Sequence, residues 1–187
     1  MRLVIAITGA SGAPYSLKLL EMCKKLRIET ELVMSKNAGN LLRLELGKTP
    51  KDFQKLATRS YSPDDLEAPP SSGSHPTDGM IIVPCSMKTL GEIANGISHD
   101  LITRAADVTL KQNRTLVVVP RETPMNLIHL ENMTKLKQAG AVILPASPAF
   151  YIKPEKISDM VDFIVGRILE MFKVDHKLYP RWVGSGK

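Results

Sequence analysis

Several short stretches of this sequence combine residue types that chemistry would need. Thr8-Gly9-Ala10-Ser11-Gly12 stands between an apolar run and an amphipathic one. Glycines let backbone amides approach an anion, a helix N-terminus adds partial positive charge, and Ser11 adds a hydroxyl. The turn therefore suits a phosphate or cofactor, although it is neither GxGxxG nor a Walker loop. The plainer alternative is a tight turn with Ser11 as helix N-cap. A second group, Ser86 and Thr89 in Cys85-Ser86-Met87-Lys88-Thr89, offers hydroxyls at another helix start, or simply an N-cap with a buried Cys85. Arg121-Glu122 puts two charges directly after an apolar run, either for chemistry or as a loop ion pair worth little.

The remaining candidates are isolated charges. Arg104 and Lys111 are seven apart on a predicted helix and share a face with Asp107, which at i,i+4 would pair with Lys111. Tyr151 follows a proline-rich turn. Arg167 borders the apolar stripe of the last helix, where it either snorkels to solvent or points at a phosphate. Glu45 is a lone acid near a helix end. His75, His99, His129 and His176 have no metal-ligand spacing, so no metal is expected.

The elements that must position these groups are legible in the hydrophobic pattern. Strands are predicted at Leu3–Ile7, Glu31–Ser35, Met80–Pro84, Thr115–Val119 and Ala141–Leu144. Helices are predicted at Ala13–Leu26, Asn37–Leu46 (stopped by Gly47 and Pro50), Met87–Ala94, Asp100–Gln112, Leu127–Ala139 and Pro154–Phe172. Residues 48–66 carry no clear pattern, 67–79 read as loop, and the tail after Lys173 has no periodicity. The alternation implies a single-domain, Rossmann-like, doubly wound α/β fold with a mostly parallel sheet and helices on both faces. Ligands then sit at the carboxyl ends of the strands, at the polar turns after Ile7, Met34, Val83 and Val119.

Composition bounds the partners. The 187 residues fit one domain, and 43% hydrophobic with 24% charged residues excludes wholesale disorder. No apolar run approaches ~18 residues, so no membrane span is expected. The short apolar start running into glycines argues against a cleaved leader. Two distant cysteines give no disulfide framework and suit a reducing, cytoplasmic setting. The net charge of +6 favours anionic partners. With 5% aromatics and no interleaved basic run, nucleic acid is not the expected one.

Taken in order, the stretches 8–13, 33–36, 69–74, 84–89, 101–111, 119–124, 129–133, 141–145 and 148–151 and the pair Arg181-Trp182 resemble the flavin prenyltransferases of the UbiX type along nearly the whole chain. The resemblance implies an FMN-binding domain over 1–173 and a tail, 174–187, packing at the active site or a subunit interface. It implies transfer of the dimethylallyl group of dimethylallyl phosphate to N5 and C6 of reduced FMN, without a metal. The prenylated FMN would go to a UbiD-type decarboxylase, and the protein would be a homo-oligomer, a dodecamer. By the same resemblance Gly9, Ala10, Ser11, Ser35, Ser86, Met87, Lys88, Thr89 and Arg121 would line FMN. Arg104, Lys111, Arg121, Tyr151 and Arg167 would hold the donor phosphate, Ser11, Glu45, Lys111 and Glu122 would be catalytic, and Trp182 would lie nearby. Two rivals are a cysteine decarboxylase of related fold, echoed by Pro124-Met125-Asn126 but not by the Leu-Ile-His-Leu that follows, and a non-catalytic flavin carrier.

Overall fold

The computed structural model describes residues 1–182 and 184. Six strands form one sheet: β1 (Arg2–Ile7), β2 (Glu29–Met34), β3 (Arg59–Tyr61), β4 (Gly79–Cys85), β5 (Thr115–Pro120) and β6 (Val142–Ile143). Their order is β3-β2-β1-β4-β5-β6, and every pairing is parallel. Parallel neighbours need crossovers, supplied by α1 (Ala13–Lys25), α2 (Ala38–Leu46), α3 (Pro50–Gln54), α4 (Met87–Ala94), α5 (Leu101–Lys111), α6 (Leu127–Gln138) and α7 (Ile157–Glu170).

Successive side chains of a strand point to opposite faces, and here both faces are buried. Leu3, Ile5 and Ile7 of β1 meet Leu19, Leu20 and Cys23 of α1 and Ile164 and Ile168 of α7. Val4 and Ala6 share the opposite core with Leu90 of α4 and Leu101, Ile102 and Ala106 of α5. A large-to-small change at a fully buried position such as Leu19 costs about 2–5 kcal/mol.

Two differences from the sequence reading have simple causes. Residues 48–66 hold α3 and β3. Pro50, read as a stop, is instead near the start of α3, where its missing N–H costs nothing, and Thr49 and Asp52 close a capping box there. β3 has only three residues, too few for a visible alternation. The loop over 67–79 contains a single 3-10 turn, Pro69–Ser71.

Strand order reverses beside β1, so the β1 and β2 turns and the β4 turn diverge at the carboxyl edge and leave a crevice. The turn after β1 is tied to β4. Pro84 cannot donate to the ladder, and the β4–β5 register shifts between Ile82 and Cys85. The Pro84 carbonyl instead accepts from the Thr8 hydroxyl at 2.8 Å, and the Ser86 N–H donates to that hydroxyl at 2.8 Å.

Candidate active site

The crevice is a cleft of about 540 Å³, within the size range of small-molecule and cofactor sites. Gly9 forms part of its floor without a side chain, and Ser35, Ser86 and Thr89 bring hydroxyls. Lys36, Lys88, Asp64, His99 and Asp100 form a charged rim. Ser86 is the N-cap of α4, accepting the Thr89 N–H at 3.3 Å. Its neighbour Cys85 is buried, which pushes its thiol well up, and Cys23 is pushed up to about 12 by the same cause. Both are thereby poor nucleophiles.

Five of the nine residues expected around FMN line this cleft: Gly9, Ser35, Ser86, Lys88 and Thr89. Ala10 is buried in the glycine turn, and Met87 packs partly buried against the second core. The glycines and hydroxyls at two strand ends, with Lys88 at the rim, suit a phosphorylated planar ligand. Lys36, Pro63, Asp64, His99 and Asp100 escaped the sequence reading. The turn at 62–64 follows β3, which had no pattern to announce it. His99 was weighed only as a metal ligand. In the structure it contacts Lys88 at 3.2 Å and Glu92 at 3.3 Å.

A second group sits over the start of α1. The N-cap there is Gly12, not Ser11, and no side chain of its own turn caps the helix. The Glu45 carboxylate, from the far end of α2, does so: it accepts the Gly12 N–H at 3.0 Å and the Ala13 N–H at 2.8 Å. Gly12 has φ +132°, and a Cβ would lie 3.0 Å from the Tyr15 ring, so both conformation and space favour glycine. Arg121 donates from Nε to the Ser11 carbonyl at 3.2 Å. It makes no ion pair with Glu122, whose carboxylate accepts the Thr123 N–H at 3.0 Å. Half-buried Tyr15 has its phenol pushed up by burial, with Arg121 opposing and Glu45 adding to the rise.

The other expected cations lie elsewhere in the protomer. Arg104 donates to the Ser71 carbonyl at 3.1 Å and pairs with Asp107 at 2.9 Å. The helix ion pair thus runs from Asp107 back to Arg104, not forward to Lys111. Lys111 ends α5, whose N-cap Asp100 lines the cleft, and the 11 residues of that helix span about 16 Å. Lys111 is exposed and, among the described residues, has no ion-pair partner. Tyr151, Arg167 and Trp182 belong to a third group beside α7. The Tyr151 ring meets Trp182 at 5.4 Å and Phe163 at 6.0 Å, both edge-on. Arg167 pairs with Glu170 at 2.7 Å. Tail residues up to Trp182 pack here, whereas the tail positions Val183, Ser185, Gly186 and Lys187 lie outside the described residues. Among the described residues no cluster of His, Cys, Asp or Glu has metal-ligand geometry, and no helix is long and apolar enough to cross a membrane.

An all-parallel sheet with a glycine- and hydroxyl-lined cleft at its switch point defines a Rossmann-like nucleotide- or flavin-binding protein. Comparison with known proteins narrows this. The Flavoprotein family matches residues 1–169. The flavin prenyltransferase UbiX of Methanocaldococcus jannaschii is 47% identical over 182 residues, 97% of this chain and 98% of that one. The crystal structure of AnUbiX in complex with FMN and dimethylallyl pyrophosphate superposes with a TM-score of 0.97 at 49% identity, covering 99% and 98% of the two chains. A dodecameric FMN-dependent UbiX-like decarboxylase from Escherichia coli O157:H7 gives 0.96 at 46%, covering 98% and 100%. The chain belongs to the flavoprotein family, in its UbiX-type flavin prenyltransferase group. The peptidyl-cysteine decarboxylase EpiD, at 20% identity and TM-score 0.59, shares the fold alone.

Proposed function

We propose that this protein is a flavin prenyltransferase that joins the dimethylallyl group of dimethylallyl phosphate to N5 and C6 of reduced FMN. The observation that carries the reading is the near-complete superposition on AnUbiX, with a cleft at the switch point lined by Gly9, Ser35, Ser86, Lys88 and Thr89. When bound, reduced FMN supplies the two nucleophilic atoms.

The chain's residues divide the remaining work. The glycine turn and the Ser35 and Ser86 hydroxyls bind and orient the flavin, with Ala10, Ser11, Met87 and Arg121 completing its surround. Phosphate leaves more readily where Lys111, Arg121 and Arg167 neutralise its developing charge, with Arg104 and Tyr151 helping to hold it, and one lost donor of this kind costs about 100-fold or more. Holding the prenyl carbon against its acceptor supplies the proximity contribution. Ring closure at C6 releases a proton, for which Glu122 or the freed phosphate is the acceptor. Ser11 and Glu45 relay protons near N5, and Trp182 shields the donor side.

Arg104, Lys111, Tyr151 and Arg167 do not line the protomer's cleft. The reading therefore includes assembly: neighbouring copies bring these groups to the flavin, in an oligomer of the dodecameric kind. The product would serve a UbiD-type decarboxylase in the same, cytoplasmic, compartment.

Anaerobic incubation with reduced FMN and dimethylallyl phosphate, followed by mass analysis of the extracted flavin, tests the reading. The expected result is a gain of one C5 prenyl unit, lost in Lys111→Ala. Unmodified FMN from a well-bound complex, with both the mono- and the diphosphate donor, would sink the transferase reading and favour a carrier.

A further inference from the structure

The donor-phosphate role of Arg167, on which this inference rests, raises the question of what holds a long, half-exposed guanidinium in place. Three contacts converge on one carboxylate of the last helical turn. Glu170 Oε2 accepts from Arg167 Nη1 at 2.7 Å, and Glu170 Oε1 accepts from the Tyr179 hydroxyl at 2.6 Å. His176 Nε2 lies 3.4 Å from that same Oε1, on a side chain only 1% exposed. His176 Nδ1 accepts the Leu178 N–H at 3.3 Å, while its buried Nε2 makes no hydrogen bond among the described residues and only packs beside the carboxylate.

The backbone is shaped for this arrangement. Gly166 lies under both rings: a Cβ there would come within 2.5 Å of Tyr179 and 2.6 Å of His176. The Tyr179 ring also packs on Phe163 at 4.8 Å. The segment after α7 thus folds back over the helix, fixes Glu170, and continues to Trp182 beside Tyr151. Burial, then the hydrogen bond to Glu170, push the Tyr179 phenol up to about 12, so it stays a donor at physiological pH.

We propose that Glu170 is a positioning residue of the donor-phosphate site, held by the Tyr179 hydroxyl and walled by His176, so that Arg167 is already ordered when the phosphate arrives. Glu170 takes Nη1, the Tyr179 hydroxyl also faces the guanidinium and is the chief cause of its raised pKa, and the half-exposed fork keeps further N–H donors for phosphate oxygens. Without Glu170 the arginine samples its rotamers freely and must be ordered at each binding event. Glutamine at 170 could still accept from Nη1 with its N–H donated to the Tyr179 hydroxyl, but it removes the negative charge that makes the Arg167 bond charge-assisted.

The test is steady-state kinetics of the full chain with dimethylallyl phosphate and reduced FMN, alongside FMN titration. Glu170→Gln is expected to lower kcat/KM for the donor about tenfold with FMN affinity within about twofold, Tyr179→Phe to lower it about threefold, and Glu170→Asp to recover part of the loss. The double variant Arg167→Ala/Glu170→Gln should match Arg167→Ala, because Glu170 acts through Arg167. An unchanged kcat/KM for the donor in Glu170→Gln while Arg167→Ala lowers it, or additive losses in the double variant, overturns the proposal. An unchanged kcat/KM for the donor in Arg167→Ala overturns the phosphate reading of that residue and this proposal with it. Should Glu170→Gln fail to fold, Tyr179→Phe carries the same comparison.

Discussion

The cleft at the switch point and the cation groups on α5 and α7 are built in opposite ways. The cleft uses short side chains and bare backbone at strand ends: Gly9, Ser35, Ser86 and Thr89. Its geometry follows from the sheet, whose registers and crossties leave little freedom. The cations are long side chains on helix faces: Arg104 is held by Asp107 and the Ser71 carbonyl, Arg167 by Glu170, and Lys111 by no ion-pair partner among the described residues. The contrast suggests a division of labour: rigid backbone for a ligand of fixed shape, adjustable charge for a group that must leave.

The sharpest way to break this division is to remove a cation. Lys111→Ala should lower turnover about 100-fold or more while FMN affinity, read by titration, stays within about twofold. A parallel loss of FMN binding would erase the distinction between the two regions. The converse variant is Gly12→Val, which forces a β-branched residue into φ +132° against Tyr15 and Pro84. It should lose FMN binding and about 1–3 kcal/mol of stability by denaturant melts, whatever the donor.

Glu45 stands between the two regions, and its variant sharpens the comparison. Glu45→Ala leaves the Gly12 and Ala13 amides without their acceptor, at a cost of about 1–2 kcal/mol. FMN affinity should fall with stability, and Glu45→Gln should restore more of the fold than of the turnover if the acid also relays a proton. The smallest effect concerns helix starts outside both regions. The backbone N–H groups of Glu155 and Lys156 hold the Asp159 carboxyl below the usual carboxylate range, and the Thr49 N–H and hydroxyl do the same for Asp52. A depressed carboxylate stabilises the fold above its unfolded-state pKa, and that contribution is lost as pH falls through the lowered folded value. Asp159→Asn should therefore flatten the acid limb of a stability–pH curve slightly and leave neutral pH unchanged.

Strand-end turns were legible in the sequence because apolar runs and glycines announce them locally. The β1, β2, β4 and β5 turns all fall at the carboxyl edge as expected, and the sheet, expected to be mostly parallel, is entirely so. What escaped was through-space or short. Glu45 caps a helix 32 residues away in sequence, so nothing near it reveals the bond. Ser11 looked like the cap because its type is right, yet Gly12 holds the position. Asp107 has cations on both sides, and spacing alone does not decide between Arg104 and Lys111. Glu170 drew no notice, since its partner Tyr179 lies in a segment without periodicity.

The edges of the sheet are poor templates for association. Its two outermost strands, β3 and β6, have three and two residues. A long bare rim would offer a row of unpaired N–H and C=O groups to any passing chain, with no defined stopping point. These stubs offer almost none. Any contact between copies would be left to exposed side chains such as Leu44, Leu127, Ile128 and Phe150, on α2, α6 and the loop before α7. Side-chain patches have shape and therefore direction, so association through them can close on itself, where strand addition would run on without end.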